Sequence, residues 1–252
     1  MTQTRISDNN TTIENKTYTG NLSARLPHED GRPYHTFRTY TVLADGNNMT
    51  FRNCTFENTA GKGKAVGQAL ALYLDGDNIT LENCRLIGHQ DTLFFAPLPD
   101  KEREVDGFLG PKQFEPRTHR TMYFRNCYIE GGVDFIFGGA TAYFENCEFC
   151  SNEPGYVFAP CTPEDVTIGF VAKNCRFTCK EDVPDQSCYI ARPWRDYARV
   201  TIENCQLGRH IKKEGWIGWR KGTAEPTTIF EEIGSYGPGA DNASRPDWVK
   251  VR

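Results

Sequence analysis

The chain has 252 residues, 38% of them hydrophobic and 25% charged, with a net charge of −4. This composition excludes a disordered chain, and the lack of any apolar run near the roughly 20 residues of a transmembrane helix argues against a helical membrane span. The acidic balance argues against nucleic acid as a partner, and it means that an acidic polymer would have to be gripped by local arginines.

Residues 1–20 are polar throughout and lack the apolar core of a secretory signal. The expected compartment is therefore the cytoplasm, with secretion the alternative if a leader precedes this segment. From residue 49 onward one pattern recurs: Phe51-Arg52-Asn53-Cys54-Thr55-Phe56, Leu81-Glu82-Asn83-Cys84-Arg85-Leu86, Phe124-Arg125-Asn126-Cys127-Tyr128-Ile129, then copies centred on Asn146, Asn174 and Asn204. The asparagines are 30, 43, 20, 28 and 30 residues apart.

Before each asparagine, apolar residues alternate with period two, as in Met122 and Phe124. After it, the cysteine and the residue two further on are apolar, in the opposite phase. A straight strand cannot send both sets inward, so the chain must turn at the asparagine, the non-glycine residue that best tolerates a left-handed corner. Stacked asparagines can also hydrogen-bond along such an array. Strand, corner and strand repeated every 20–30 residues predict an all-β fold, a right-handed, single-stranded parallel β-helix, a solenoid whose neighbouring coils supply each other's core. A propeller would need longer and more even repeats.

Six of the ten cysteines sit in this repeat, which predicts packing thiols. The Cys147/Cys150 spacing lacks the second ligand pair of a zinc site, so neither a metal nor a cofactor is expected. The 43-residue interval holds 96–119, rich in proline, glycine and charge, which predicts a protruding loop. Residues 208–252 carry Trp216, Trp219, Tyr236 and Trp248, and predict a tail packed along the outside of a single domain spanning 1–252.

The chemistry follows from the ladder asparagines. Asp91 lies eight residues after Asn83, and Asp134 lies eight after Asn126. In consecutive coils the two would stack with backbones about 4.8 Å apart. Asp134 is the only ionisable group in the run from Gly131 to Gly138, which reads as a buried strand. Two carboxylates so close titrate as a unit, one ionised and one protonated, which suits a nucleophile or base beside an acid. Arg192 can hold a carboxylate bidentately, Trp194 offers a flat face to a sugar ring, and Gln68 and Gln90 can donate amide hydrogens to an oxyanion.

Gly88-His89-Gln90-Asp91-Thr92-Leu93-Phe94, Val133-Asp134-Phe135-Ile136-Phe137-Gly138 and Arg192-Pro193-Trp194 resemble the signature segments of the pectin methylesterase family. Gly67-Gln68-Ala69-Leu70-Ala71-Leu72 and Tyr236-Gly237-Pro238-Gly239-Ala240 resemble two more, and the likeness runs from about residue 11 to the end. The resemblance implies that Asp134 is the nucleophile toward the C6 carbonyl of a methyl-esterified galacturonate, and that Asp91 is the acid and then the base. It implies that Gln90 and Gln68 stabilise the oxyanion and that Arg192 orients Asp134 and keeps it ionised. Trp194, Val133, Phe137 and Phe94 would line the substrate site, with pectin or methyl-esterified oligogalacturonide as partner and neither nucleic acid nor membrane involved.

His89 and Ala191 depart from the family's usual residues, and about sixty residues that normally form the first coils are expected to be missing from the N-terminal side. Two rival readings are a glycoside hydrolase acting on the pectin backbone and a non-catalytic polysaccharide-binding solenoid. The glutamines and Arg192 suit acyl transfer better than an oxocarbenium ion.

Overall fold

The computed structural model describes residues 3–219 and 225–252. Its strands pair almost wholly in parallel, each with the equivalent strand one coil away, and they form three ladders around a common core. The first ladder runs through Thr4–Ile6, Val42–Ala44, Leu72–Leu74 and Leu93–Phe95 into the C-terminal halves of two long strands, Tyr128–Gly138 and Glu148–Pro160. The second runs from Thr12–Glu14 through Thr50–Arg52, Ile79–Glu82, Thr121–Arg125, Thr141–Glu145, Phe170–Lys173 and Arg199–Glu203. The third holds Thr17–Gly20, Thr55–Asn58 and Arg85–Ile87, then the N-terminal halves of the same long strands. The architecture is a parallel β-helix.

The corners between the second and third ladders are the repeated asparagines. Asn53, Asn83, Asn126, Asn146, Asn174 and Asn204 all adopt φ between 51° and 54°. Each donates its backbone N–H to a carbonyl of the next coil at 2.8–3.1 Å. The left-handed residue reverses the side-chain phase, so Phe51 and Phe56, or Phe124 and Ile129, both point inward and are fully buried. Each following cysteine is buried as a free thiol and lies 3.4–3.6 Å from a carbonyl of the preceding coil. A small, weakly polar side chain fits a corner where larger groups would collide with the stacked neighbour.

Asn15 (φ 55°) and Gly234 (φ 61°) make the same corner at the two ends of the row, without a cysteine. Amide-to-amide bonding within this row is seen between Asn53 and Asn15, at 3.3 Å. A second row, Asn10, Asn48 and Asn78, turns the chain between the first and second ladders, and its amides are bonded in series at 2.9 and 2.7 Å.

Two expectations are corrected. The described part of 208–252 does not simply run along the outside: Ile229–Ile233 and Lys250–Val251 continue the second ladder, and Trp216 and Phe230 are fully buried in the core. Apolar coil ends must be covered, and here the tail supplies further rungs. Its buried charge is satisfied, since Arg245 chelates Glu232 at 2.8 and 3.0 Å while Trp216 donates to the same carboxylate. Residues 96–119 do not simply protrude either. Leu98, Phe108 and Leu109 are buried, Lys112 reaches Asp45 at 2.8 Å and Asp106 pairs with Arg32 at 3.3 Å. The insertion lies folded against the first ladder and becomes a wall of the site.

Candidate active site

Three successive coils deliver the polar groups. Gln68 follows the short helix Gly63–Val66, after Gly67 at φ 82°. A Cβ on Gly63 would sit 2.3 Å from Gln90 Oε1, so glycine is what lets this turn close over the Gln90 side chain. Gln90 and Asp91 come from the next coil, and Asp134 from the one after.

The expected stacking is present. Arg85 pairs with Tyr128 and Leu93 with Ile136, a 43-residue offset on both sides of the aspartates, and Asp91 and Asp134 share it. Between those pairs the Asp91 N–H donates to the Val133 carbonyl at 3.0 Å, and the Gly132 N–H to the His89 carbonyl at 2.8 Å. Both aspartates adopt left-handed backbone, φ 62° and 50°. The segment read as a plain buried strand is thus a strand, Tyr128–Gly138, with an irregularity at Asp134 that aims the carboxylate out of the alternation.

Both carboxylates are over nine-tenths buried. Arg192 donates Nε to Asp134 Oδ1 at 2.7 Å and Nη2 to Oδ2 at 2.5 Å, a bidentate fork. Its guanidinium is held between two rings, Tyr156 at 3.8 Å and Trp219 at 3.7 Å. Burial pushes the Asp134 carboxyl up, and Arg192 pulls it back. Burial, then the Asp134 charge, push the Asp91 carboxyl well above the ordinary range, with Arg192 a weaker counterweight. Both carboxyls end up raised, Asp91 further than Asp134, so the pair is split, with Asp134 the readier of the two to ionise.

A cavity of about 410 Å³ opens over this pair, and Gln68, Gln90, Asp91, Asp134, Phe137, Arg192 and Trp194 all line it. Two predicted lining residues do not. Phe94 is fully buried below the floor, with its ring 4.8 Å from Phe37 and 4.9 Å from Phe137. Val133 is half-buried and serves through its carbonyl, which ties the two aspartate turns together. Sequence reasoning missed Phe37, Phe108 and Arg103, which come from loops without a period, and it missed Tyr156 and Trp219 as the clamp on Arg192. The only hint was that Trp219 sat in an aromatic-rich tail.

Fold and site together define a parallel β-helix with a cation-locked carboxylate pair at the floor of a cleft. The chain belongs to the Pectinesterase family, whose sequence pattern matches residues 11–99 and 115–252. It is 30% identical over 216 residues to pectinesterase 31 of Arabidopsis thaliana, covering 85% of this chain and 60% of that protein. It is 33% identical over 241 residues to a pectinesterase of Petunia integrifolia, covering 91% and 56%. The chain thus spans less than two thirds of the length of these curated relatives. The crystal structure of the pectin methylesterase from Aspergillus niger superposes with a TM-score of 0.80 at 26% identity, over 98% of this chain and 76% of that one.

Proposed function

We propose that the protein hydrolyses the methyl esters at C6 of galacturonate units in pectin, releasing methanol through an acyl-enzyme on Asp134. The observation that carries this reading is the asymmetry of the stacked pair: Asp134 is chelated by Arg192, while Asp91 makes no ion pair among the described residues. Membership in the family supports the same chemistry.

In this reading Asp134 attacks the ester carbonyl carbon, and the negative charge that develops on the carbonyl oxygen is met by the side-chain amides of Gln90 and Gln68. The intermediate collapses, the C–O bond to the methoxy group breaks, and the proton on Asp91 passes to the departing oxygen, so that methanol leaves. Asp91, now a carboxylate, takes a proton from water as the water oxygen attacks the anhydride carbon. Asp134 is expelled as a carboxylate, Asp91 is again protonated, and the freed uronic acid gives its proton to solvent to become the uronate. Arg192 keeps the nucleophile ionised and aimed, and the two rings keep Arg192 in place. Trp194 and Phe137, whose rings are 5.6 Å apart, supply a wall for a sugar face.

Incubation with highly methylated pectin tests the proposal. Methanol release without new reducing ends is the expected result. Reducing ends without methanol would replace it with backbone hydrolysis, and binding with neither product would replace it with a non-catalytic solenoid.

A further inference from the structure

Behind the two aspartate turns the coils are joined in a way that the ladders do not require. In a parallel β-helix a side chain meets the coil above and the coil below, and a residue two coils away is about 9–10 Å off. Asn152 and Glu153 nevertheless reach across the whole Asp134 coil to the turn that carries Gln90 and Asp91. Between the pairs Gly131–Ser151 and Val133–Tyr156, residues 152–155 stand opposite Gly132 alone, and this bulge projects both side chains. Asn152 donates its amide to the Gly88 carbonyl at 2.9 Å and to Glu130 Oε1 at 3.2 Å. Glu153 Oε1 lies 3.8 Å from His89 Nδ1. The reach is possible because the coil between has no side chain at that level. Gly131 and Gly132 are consecutive, and a Cβ on Gly132 would collide with Glu153 Cγ.

His89 Nδ1 and Glu153 Oε1 are both buried, and neither has a hydrogen-bond partner among the described residues. One can donate and the other accepts, so each satisfies the other without bringing in a further group. Neither residue lines the catalytic cavity, so contact with a substrate does not account for them. We propose that His89 and Glu153 form a clip behind the catalytic turns: the imidazole Nδ1–H donates to the Glu153 carboxylate across Gly131 and Gly132. The clip fixes the Gln90–Asp91 turn against the turn of Asp134. Both are positioning residues that act through Gln90 and Asp91, and this role rests on the esterase reading. Gln90 and Asp91 directly follow His89, so a shift of its backbone moves the oxyanion donor and the acid together. A displacement of about 1 Å at reacting groups can cost about 10²-fold in rate.

Steady-state methanol release and denaturant unfolding of the wild type, His89→Ala, Glu153→Ala and the double variant test this. His89→Asn is the rescue, since its amide nitrogen takes the place of Nδ1. Each single alanine should lower kcat about tenfold and leave KM for methylated pectin unchanged. The double variant should be no slower than either single one, His89→Asn should recover most of the loss, and unfolding should show the same non-additivity. Unchanged kcat in both single variants, or losses that multiply in the double one, would overturn the clip. Coupling seen in unfolding but not in kcat would overturn its positioning role. If Glu153→Ala does not fold, His89→Ala against His89→Asn decides, and equal rates overturn the proposal. A wild type that releases no methanol, while unfolding still shows the coupling, would overturn the esterase reading and leave the clip standing.

Discussion

At Asn126 and at Asp134 the chain makes the same backbone move, φ 53° and 50°, in the same coil, eight residues apart. At Asn126 the side chain is exposed and neutral, and the next coil repeats it with Asn146. At Asp134 the side chain is buried and charged, and it is stacked with Asp91 and gripped by Arg192. The structural corner is cheap because the amide stays in water and asparagine tolerates the conformation. The buried corner is costly, because two carboxylates share one desolvated pocket. The same device of a left-handed residue thus turns the chain at an exposed amide in one place and presents a cation-bound carboxylate in the other, and what separates them is burial and the identity of the neighbour.

The largest effect should come from removing the charge at the buried corner. Asp134→Asn should lower the rate of methanol release by at least about 10³-fold, because an amide forms no acyl intermediate. Asp134→Asn with near-normal turnover would move the nucleophile elsewhere. Next, Arg192→Lys retains a cation but loses the fork and the stacking on Tyr156 and Trp219. Turnover should fall about 10²-fold with the melting temperature little changed, and steady-state kinetics beside a melting curve would check both.

A third effect separates the two corners by pH. Burial and the Asp134 charge raise the Asp91 carboxyl above its unfolded value, so the native state holds the proton more tightly than the unfolded state. The contribution of Asp91 to stability is therefore fully present below the ordinary carboxyl range and is lost as pH rises through the window up to the raised native value. Asp91→Asn removes that loss. The variant should melt higher than wild type at neutral pH, with the gap closing toward pH of about 4, while methanol release collapses. A gap that stayed constant with pH would mean that Asp91 is not held as the acid. The smallest effect belongs to the structural corner: Asn126→Ala should cost about 1–2 kcal/mol in denaturant unfolding, and Asn126→Gly distinctly less, since only the alanine resists a positive φ.

What was legible in the sequence follows the period. The phase reversal at Asn53, Asn83 and Asn126 required a corner, and the shared offset of Asp91 and Asp134 then required stacking. Both are consequences of local geometry that one rung imposes on the next. The second asparagine row was within reach, because Asp45-Gly46-Asn47-Asn48 and Asp75-Gly76-Asp77-Asn78 repeat, but its short strands Val42–Ala44 and Leu72–Leu74 are buried on both faces and show no alternation. The last coil was misread because Ile233-Gly234 makes the corner without asparagine or cysteine. Phe37, Arg103 and Phe108 were out of reach for a different reason. Their placement depends on where loops fold back, and tertiary contacts such as Lys112 with Asp45 decide that. Phe94 was assigned to the substrate lining by motif position, although in the fold it is fully buried against Phe37, Tyr73 and Phe137.

The 43-residue interval between Asn83 and Asn126 leaves the ladders intact. Phe95 still pairs with Gly138 and Thr121 with Thr141 on either side of the excursion, so the ladder register is kept across it. The wall it contributes is tied down separately, through Lys112 with Asp45 and Asp106 with Arg32. A redesign of 100–114 that keeps those two anchors is expected to reshape the cavity wall while the two aspartates keep their spacing.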